Sequence, residues 1–263
     1  MNIPVEILNE ALIAGVLASL ACGLGVFPLM IKGLDPSKHT GVGYGLAGGL
    51  MFSASIYNLI LPGLDLGQMG WDLSDVIPII IGIFVGSMFM AIVEKRLHQQ
   101  AGEEESQRSK RWGGRTGILV LLAMTIHSIP EGVAVGVGYT SDAVGGPNAN
   151  LGPTLALAIA IHNIPEGLAV AIPLRSAGAS IPKCFLAAVF TSIPQPIASI
   201  PAVALAWFFQ PLMPFLMGFA AGAMIFLVIL ELIPEALHTT SPVKIAWSFV
   251  TGFCMMMLIQ VVL

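Results

Sequence analysis

Long apolar runs separated by short polar stretches dominate this chain. A helix needs about 20 apolar residues to cross the roughly 30 Å hydrocarbon core of a bilayer. Eight runs reach this length, at residues 8–31, 41–64, 76–97, 116–139, 152–174, 182–208, 212–236 and 243–263. Because they use nearly the whole sequence, the pattern predicts an all-α integral membrane protein. It forms one eight-helix transmembrane domain over residues 1–263, with no separate soluble domain.

Composition supports this class. Of the 263 residues, 56% are hydrophobic and 10% are charged, whereas a soluble domain carries about 25% charged residues. The cysteines, Cys22, Cys184 and Cys254, all fall in apolar runs, so they indicate neither a disulfide framework nor a cysteine metal motif. The first run follows Glu6 and Glu10 rather than a basic segment, which favours a retained helix over a cleaved signal peptide.

The basic residues predict the orientation. All eleven fall in or beside alternate connections, at Lys32, Lys38, Lys95, Arg96, Arg108, Lys110, Arg111, Arg115, Arg175, Lys183 and Lys244. The other connections and the two termini carry none. The positive-inside rule therefore places the polar loop 98–115 in the cytoplasm and both termini outside it, in a multi-pass protein of the cell membrane.

Two nearly identical segments carry the candidate chemistry: HSIPEGVAV at 127–135 and HNIPEGLAV at 162–170. In each segment a histidine and a glutamate are four residues apart, so His127 and Glu131 share one helical face, as do His162 and Glu166. At 1.5 Å per residue both histidines lie near the membrane midplane. Because consecutive spans run antiparallel, Glu131 should be level with His162, and Glu166 with His127.

Two imidazoles and two carboxylates at this depth predict a site for a divalent transition metal, since zinc and its first-row neighbours favour these ligands. The alternative is that each His–Glu pair merely satisfies itself inside a packed bundle. That alternative must explain carboxylates at a depth where each costs about 2.5–3.5 kcal/mol or more. The repetition of the motif favours the metal site.

These motifs resemble the fourth and fifth helices of the ZIP (Zrt-, Irt-like) family of metal transporters, in particular its prokaryotic, GufA-like branch. The likeness extends to Gly48–Met51 and Leu61–Asp65 in the second span and to Glu231–Glu235 in the seventh. The resemblance therefore covers essentially the whole chain. It implies a 3+2+3 inverted-repeat arrangement of the eight helices.

The resemblance also implies a ligand set. The primary site would use Met51, His127, Glu131, His162 and Glu166. A second site would use Asn163, with Glu131 and Glu166 as bridges. The chain departs from the family where Ser128 replaces a common asparagine and where Gln195 replaces a frequent glutamate in the sixth span. Gln195 removes an anionic ligand, so the resemblance predicts weaker binding at the second site.

Other polar residues suggest a route for the ion. The candidates are Asp65, Ser128, Glu231, Glu235 and His238. Asp65 could attract a cation at the outer end of the second span or simply lie at the interface. Glu231 lies deeper beside Pro234, which favours a role in transport.

The sequence thus predicts transport of a divalent transition metal into the cytoplasm by alternating access, with Zn²⁺ as the expected cargo and Cd²⁺, Fe²⁺, Mn²⁺ and Co²⁺ as alternatives. A selective metal channel stays open as an alternative. A membrane metalloenzyme is disfavoured, because the chain has no H-E-x-x-H motif and no nucleophile paired with a base. The expected partners are the metal and the lipid bilayer, without nucleic acid, and a homodimer is left open.

Overall fold

The computed structural model describes residues 3–31, 36–65, 72–101, 114–146 and 150–262. In this part of the chain every regular element is helical, in eight long helices. They are α1 (Val5–Leu24, followed by the 3-10 turn Phe27–Met30), α2 (Pro36–Ala54, Ser55–Ile60 and Leu61–Asp65), α3 (Leu73–Ala101), α4 (Gly114–Ala143), α5 (Leu151–Ser176), α6 (Ile181–Thr191 and Pro194–Phe208), α7 (Met213–Leu227, Val228–Leu232 and Ile233–Thr239) and α8 (Pro242–Val262).

Seven segments among the described residues are long and apolar enough to cross a membrane: Val5–Met30, Gly41–Asp65, Val76–Arg96, Leu151–Ser176, Ile181–Phe208, Gln210–Thr239 and Pro242–Gln260. The remaining long helix, α4, has 30 residues. The structure does not describe the side chains of its first residues, 114–120. The predicted all-α membrane bundle is confirmed. Most of the predicted loop 98–115 falls on residues 102–113, which are outside the described residues.

The helix pairs follow a two-fold pattern. Helix α1 packs on α5 as α6 packs on α4, and α2 packs on α8 as α7 packs on α3. Contacts between α2 and α5 likewise match those between α7 and α4. Exchanging α1, α2 and α3 with α6, α7 and α8, and α4 with α5, therefore leaves the pairings unchanged. This is the pattern that a 3+2+3 inverted repeat requires, and it places α4 and α5 at the centre.

The helices depart from regular geometry at corresponding places. Both α2 and α7 contain a π-helical segment, at Ser55–Ile60 and Val228–Leu232. Helix α6 is interrupted after Thr191, because Pro194 and Pro196 lack the N–H groups that would continue its hydrogen-bond ladder. By contrast, α4 and α5 run on through Pro130 and Pro165. The interruption of helical geometry thus lies in α6, beside α4 and α5, which carry the two motifs and are themselves uninterrupted.

The connection between α4 and α5 is fixed by Asp142. Its two carboxylate oxygens each accept a hydrogen bond of 2.8 Å, from the backbone N–H groups of Leu151 and Gly152. These N–H groups open α5 and have no partner within the helix, so the carboxylate satisfies them and complements the positive end of the helix dipole. The anchor sets where α5 begins relative to α4.

Candidate metal centre

The four motif residues meet in the centre of the bundle. His162 Nε2 lies 2.9 Å from Glu131 Oε1 on the neighbouring helix. His127 Nε2 lies 3.2 Å from the same oxygen and 3.3 Å from Glu166 Oε1. The antiparallel packing of α4 and α5 therefore brings each histidine close to the glutamate of the other motif, with Glu131 Oε1 shared by both imidazoles.

The cage is closed to solvent, since His127, Glu131 and His162 are fully buried and Glu166 is 3% exposed. Three of its polar atoms have no partner among the described residues: His127 Nδ1, His162 Nδ1 and Glu131 Oε2. Each such buried atom costs about 1–3 kcal/mol when it is left unsatisfied. A cation bound in the cage would remove this cost at Glu131 Oε2.

The spacing suits a single ion. Ligand atoms of His127, Glu131 and Glu166 lie within 4.8 Å of one another. Zinc binds nitrogen and oxygen at about 2.0–2.2 Å in a tetrahedral arrangement, so two ligand atoms of one ion lie about 3.3–3.6 Å apart. His127 Nε2 is at nearly this separation from both carboxylate oxygens, 3.2 Å from Glu131 Oε1 and 3.3 Å from Glu166 Oε1.

Beside the cage, the structure places the two amides predicted for the second site in contact with each other. Asn163 Nδ2 donates to Gln195 Oε1 at 3.3 Å and to the backbone oxygen of Ala18 at 2.9 Å. In the part of the chain that the structure describes, Asn163 Oδ1 and Gln195 Nε2 have no hydrogen-bond partner, and both residues are fully buried. Gln195 thus reaches the residue that follows His162, although it is far away in sequence.

The remaining predicted ligands and route residues lie in different surroundings. Met51 is fully buried on α2, which packs against α5. Ser128 is also buried, but its hydroxyl bonds to backbone oxygens of α4 and α6. Asp65 and His238 are exposed at the ends of α2 and α7, so the structure does not bring these two to the cage.

Glu231 and Glu235 are half-buried on α7. The carboxyl of Glu231 lies at hydrogen-bonding distance from that of Glu94 on α3. Glu94 is not among the site residues that the sequence predicts. A carboxylate inside an apolar span could have indicated Glu94. The adjacent Lys95 and Arg96 instead suggest a solvated helix end.

A buried imidazole and carboxylate cage at the centre of a multi-pass helical bundle defines a membrane protein that handles metal ions. The family model described as "ZIP Zinc transporter" matches residues 6–260, and the chain belongs to this family.

Among its relatives, zinc transporter GufA of Myxococcus xanthus is 30% identical over 92% of this chain and 96% of its own length. Zinc transporter ZIPB of Bordetella bronchiseptica is 32% identical over 96% of this chain and 81% of its own. A putative zinc transporter of Arabidopsis thaliana is 37% identical over 86% of this chain, which spans 34% of that longer protein. The family is one of transporters, which does not favour the metalloenzyme alternative.

Proposed function

We propose that this protein carries Zn²⁺ across the cell membrane into the cytoplasm. The observation that carries the proposal is the buried cage, in which Glu131 Oε1 lies within 3.2 Å of both site histidines. Relatives that align with nearly the whole chain are named zinc transporters, which supports zinc as the cargo. Cd²⁺, Fe²⁺, Mn²⁺ and Co²⁺ are the competing cargoes to test.

The cage has the chemistry that a carrier needs. Its imidazoles and carboxylates bind a divalent cation when they are deprotonated, and the two carboxylates offset the charge of the ion at a depth where charge is costly. Because the two halves of the bundle correspond, they can open alternately towards each side of a fixed central site. Met51 and Gln195 would complete the surroundings of the ion, with Asp65, Glu231, Glu235 and His238 along its route.

Zinc uptake into proteoliposomes tests the proposal. We expect flux that saturates at micromolar zinc and that competing divalent metals reduce. Currents resolvable as single-channel events would favour a channel instead.

A homodimer is the alternative to a monomer, and the mass of the protein released from lipid nanodiscs distinguishes them. The proposal involves no nucleic acid.

The inward direction depends on the orientation, which rests on the one-sided Lys and Arg distribution. Ala143 is exposed at the end of α4 and Ala177 is exposed beyond the end of α5. We expect a cysteine at Ala143 to react only with reagent added outside the cell, and one at Ala177 only from the cytoplasm. The exposed native Cys254 is replaced by alanine in both variants. Reversed labelling would contradict both the orientation and the import proposal.

Gln195 should limit the centre to one tightly bound ion. A neutral amide offers one less negative charge than a glutamate would to a second cation beside Glu131 and Glu166. We expect one zinc per protomer at micromolar free zinc, and nearly two in Gln195→Glu, which keeps the oxygen that accepts from Asn163. Equilibrium dialysis with metal analysis measures this stoichiometry.

The matched control is Gln210→Glu, which adds the same charge at an exposed position between α6 and α7. It should leave one zinc per protomer. Two tightly bound ions in the unmodified protein, or an unchanged count in Gln195→Glu, would show that Gln195 does not set the stoichiometry.

A further inference from the structure

The residue after each site histidine binds the main chain of a flanking helix. Ser128 Oγ donates to the backbone oxygen of Thr191 on α6 at 3.0 Å, and lies 3.1 Å from Met124 O on its own helix. Asn163 Nδ2 donates to the backbone oxygen of Ala18 on α1 at 2.9 Å. Both residues are almost completely buried, so water does not replace these donors.

The two contacts occupy equivalent places in the repeat. Thr191 lies four residues before Gln195, and Ala18 lies four residues before Cys22. The backbone oxygens of Gln195 and Cys22 press against Gly132 and Gly167, where a side-chain carbon would overlap them. Each motif helix therefore docks at two points one helical turn apart: a glycine against one carbonyl and a polar side chain on another.

The break in α6 explains why a donor is needed there. In an intact helix the N–H of Gln195 would donate to the oxygen of Thr191, four residues earlier. Here it donates instead to Ser192 O at 3.1 Å. Thr191 O is thus available at a buried position, and the Ser128 hydroxyl from α4 satisfies it.

We propose that Ser128 and Asn163 are positioning residues that hold α4 against α6 and α5 against α1 at the height where the metal cage closes. The ion-binding atoms lie on the same two helices, one residue before each docking residue and three residues after it. A change in the height of either helix therefore changes the distance between the imidazoles and the opposing carboxylates. This role rests on the proposed function and replaces the predicted parts of Ser128 in the ion route and of Asn163 as a metal ligand.

The first test measures the zinc dissociation constant of purified protein by calorimetric titration, so it does not depend on transport. Ser128→Ala should weaken binding by roughly 3- to 20-fold, the range that interhelical hydrogen bonds span in membranes. Ser128→Thr, which keeps the hydroxyl, should restore most of the affinity. The control is Thr140→Val, which removes a buried hydroxyl that bonds, among the described residues, to Gly136 O on its own helix.

A purely structural role would lower the melting temperature in Ser128→Ala and leave the dissociation constant of the folded protein unchanged. That result, or an equal loss of affinity in Thr140→Val, would overturn the proposal. Zinc flux measured in parallel distinguishes the carrier function from the positioning role. If the unmodified protein binds zinc without transporting it, the carrier function is refuted. The affinity comparison then still tests the positioning role.

The second test distinguishes positioning from ligation. In Asn163→Asp a ligand would become anionic and bind zinc more tightly, whereas a positioning amide would lose its donors and face Ala18 O with a carboxylate. We expect weaker binding. Ser128→Cys should weaken zinc and cadmium binding by a similar factor, because a thiol is a poor donor. Tighter binding in Asn163→Asp, or a marked shift towards cadmium in Ser128→Cys, would show that these residues are metal ligands.

Discussion

His127→Ala or Glu166→Ala should each lower zinc transport efficiency at least about 100-fold. Changing residues that merely orient metal ligands costs 10- to 100-fold, so loss of a ligand should cost no less. His127 Nε2 and Glu166 Oε1 lie 3.3 Å apart and would bind one ion. The double variant should therefore lose little more than either single one, because both act on the same step. Initial rates of zinc uptake into proteoliposomes measure all three.

Each variant is compared at equal amounts of monodisperse protein, and alanine suits the helical positions. Glu6→Ala, at an exposed glutamate on α1, is the control and should transport like the unmodified protein. If the two losses instead multiply, giving a double variant about 10,000-fold slower, the two residues act independently and do not share an ion.

Zinc affinity should fall steeply as the pH is lowered. The imidazoles of His127 and His162 bind metal only when neutral, so protons compete with zinc and affinity is highest above the histidine range. Protons that bind the imidazoles should therefore make zinc binding at pH 5.5 markedly weaker than at pH 7.5. Titration of the purified protein with zinc at a series of pH values measures the slope.

The variant His162→Gln tests the origin of this slope. It removes one titrating ligand and should show about one proton released per zinc in place of two. Affinity that stays constant from pH 5 to pH 8 in the unmodified protein would contradict imidazole ligation. A slope unchanged by His162→Gln would place the second proton on another group, such as a cage carboxyl.

The fold explains why a costly cage can persist in the membrane interior. Glycines in both motifs let α4 and α5 approach α6 and α1 closely, and polar side chains fill the positions one turn away. Close packing and buried hydrogen bonds, rather than a difference in apolarity, hold membrane helices together. The same contacts that assemble the bundle therefore also set the distances in the cage.

Much of this architecture was determined by the sequence alone. The length of the apolar runs predicted the helices, because a membrane-spanning segment must satisfy its own backbone over about 20 residues. The spacing of four residues between histidine and glutamate determined that each pair shares a face, because an α-helix turns once in 3.6 residues. With two copies on consecutive antiparallel spans, the helical spacing also places Glu131 level with His162.

Tertiary structure decided what helical periodicity does not encode, namely which partner each side chain meets across a helix interface. The motif position suggested that Ser128 belongs to the ion route, but its hydroxyl binds Thr191 O because α6 breaks at that point. Glu94 adjoins Lys95 and Arg96 at the end of the third apolar run, and only the packing of α3 on α7 brings its carboxyl to that of Glu231. Such contacts depend on the relative heights of helices, which are set by the packing of small residues between distant parts of the chain, so one helix's own residues do not specify them.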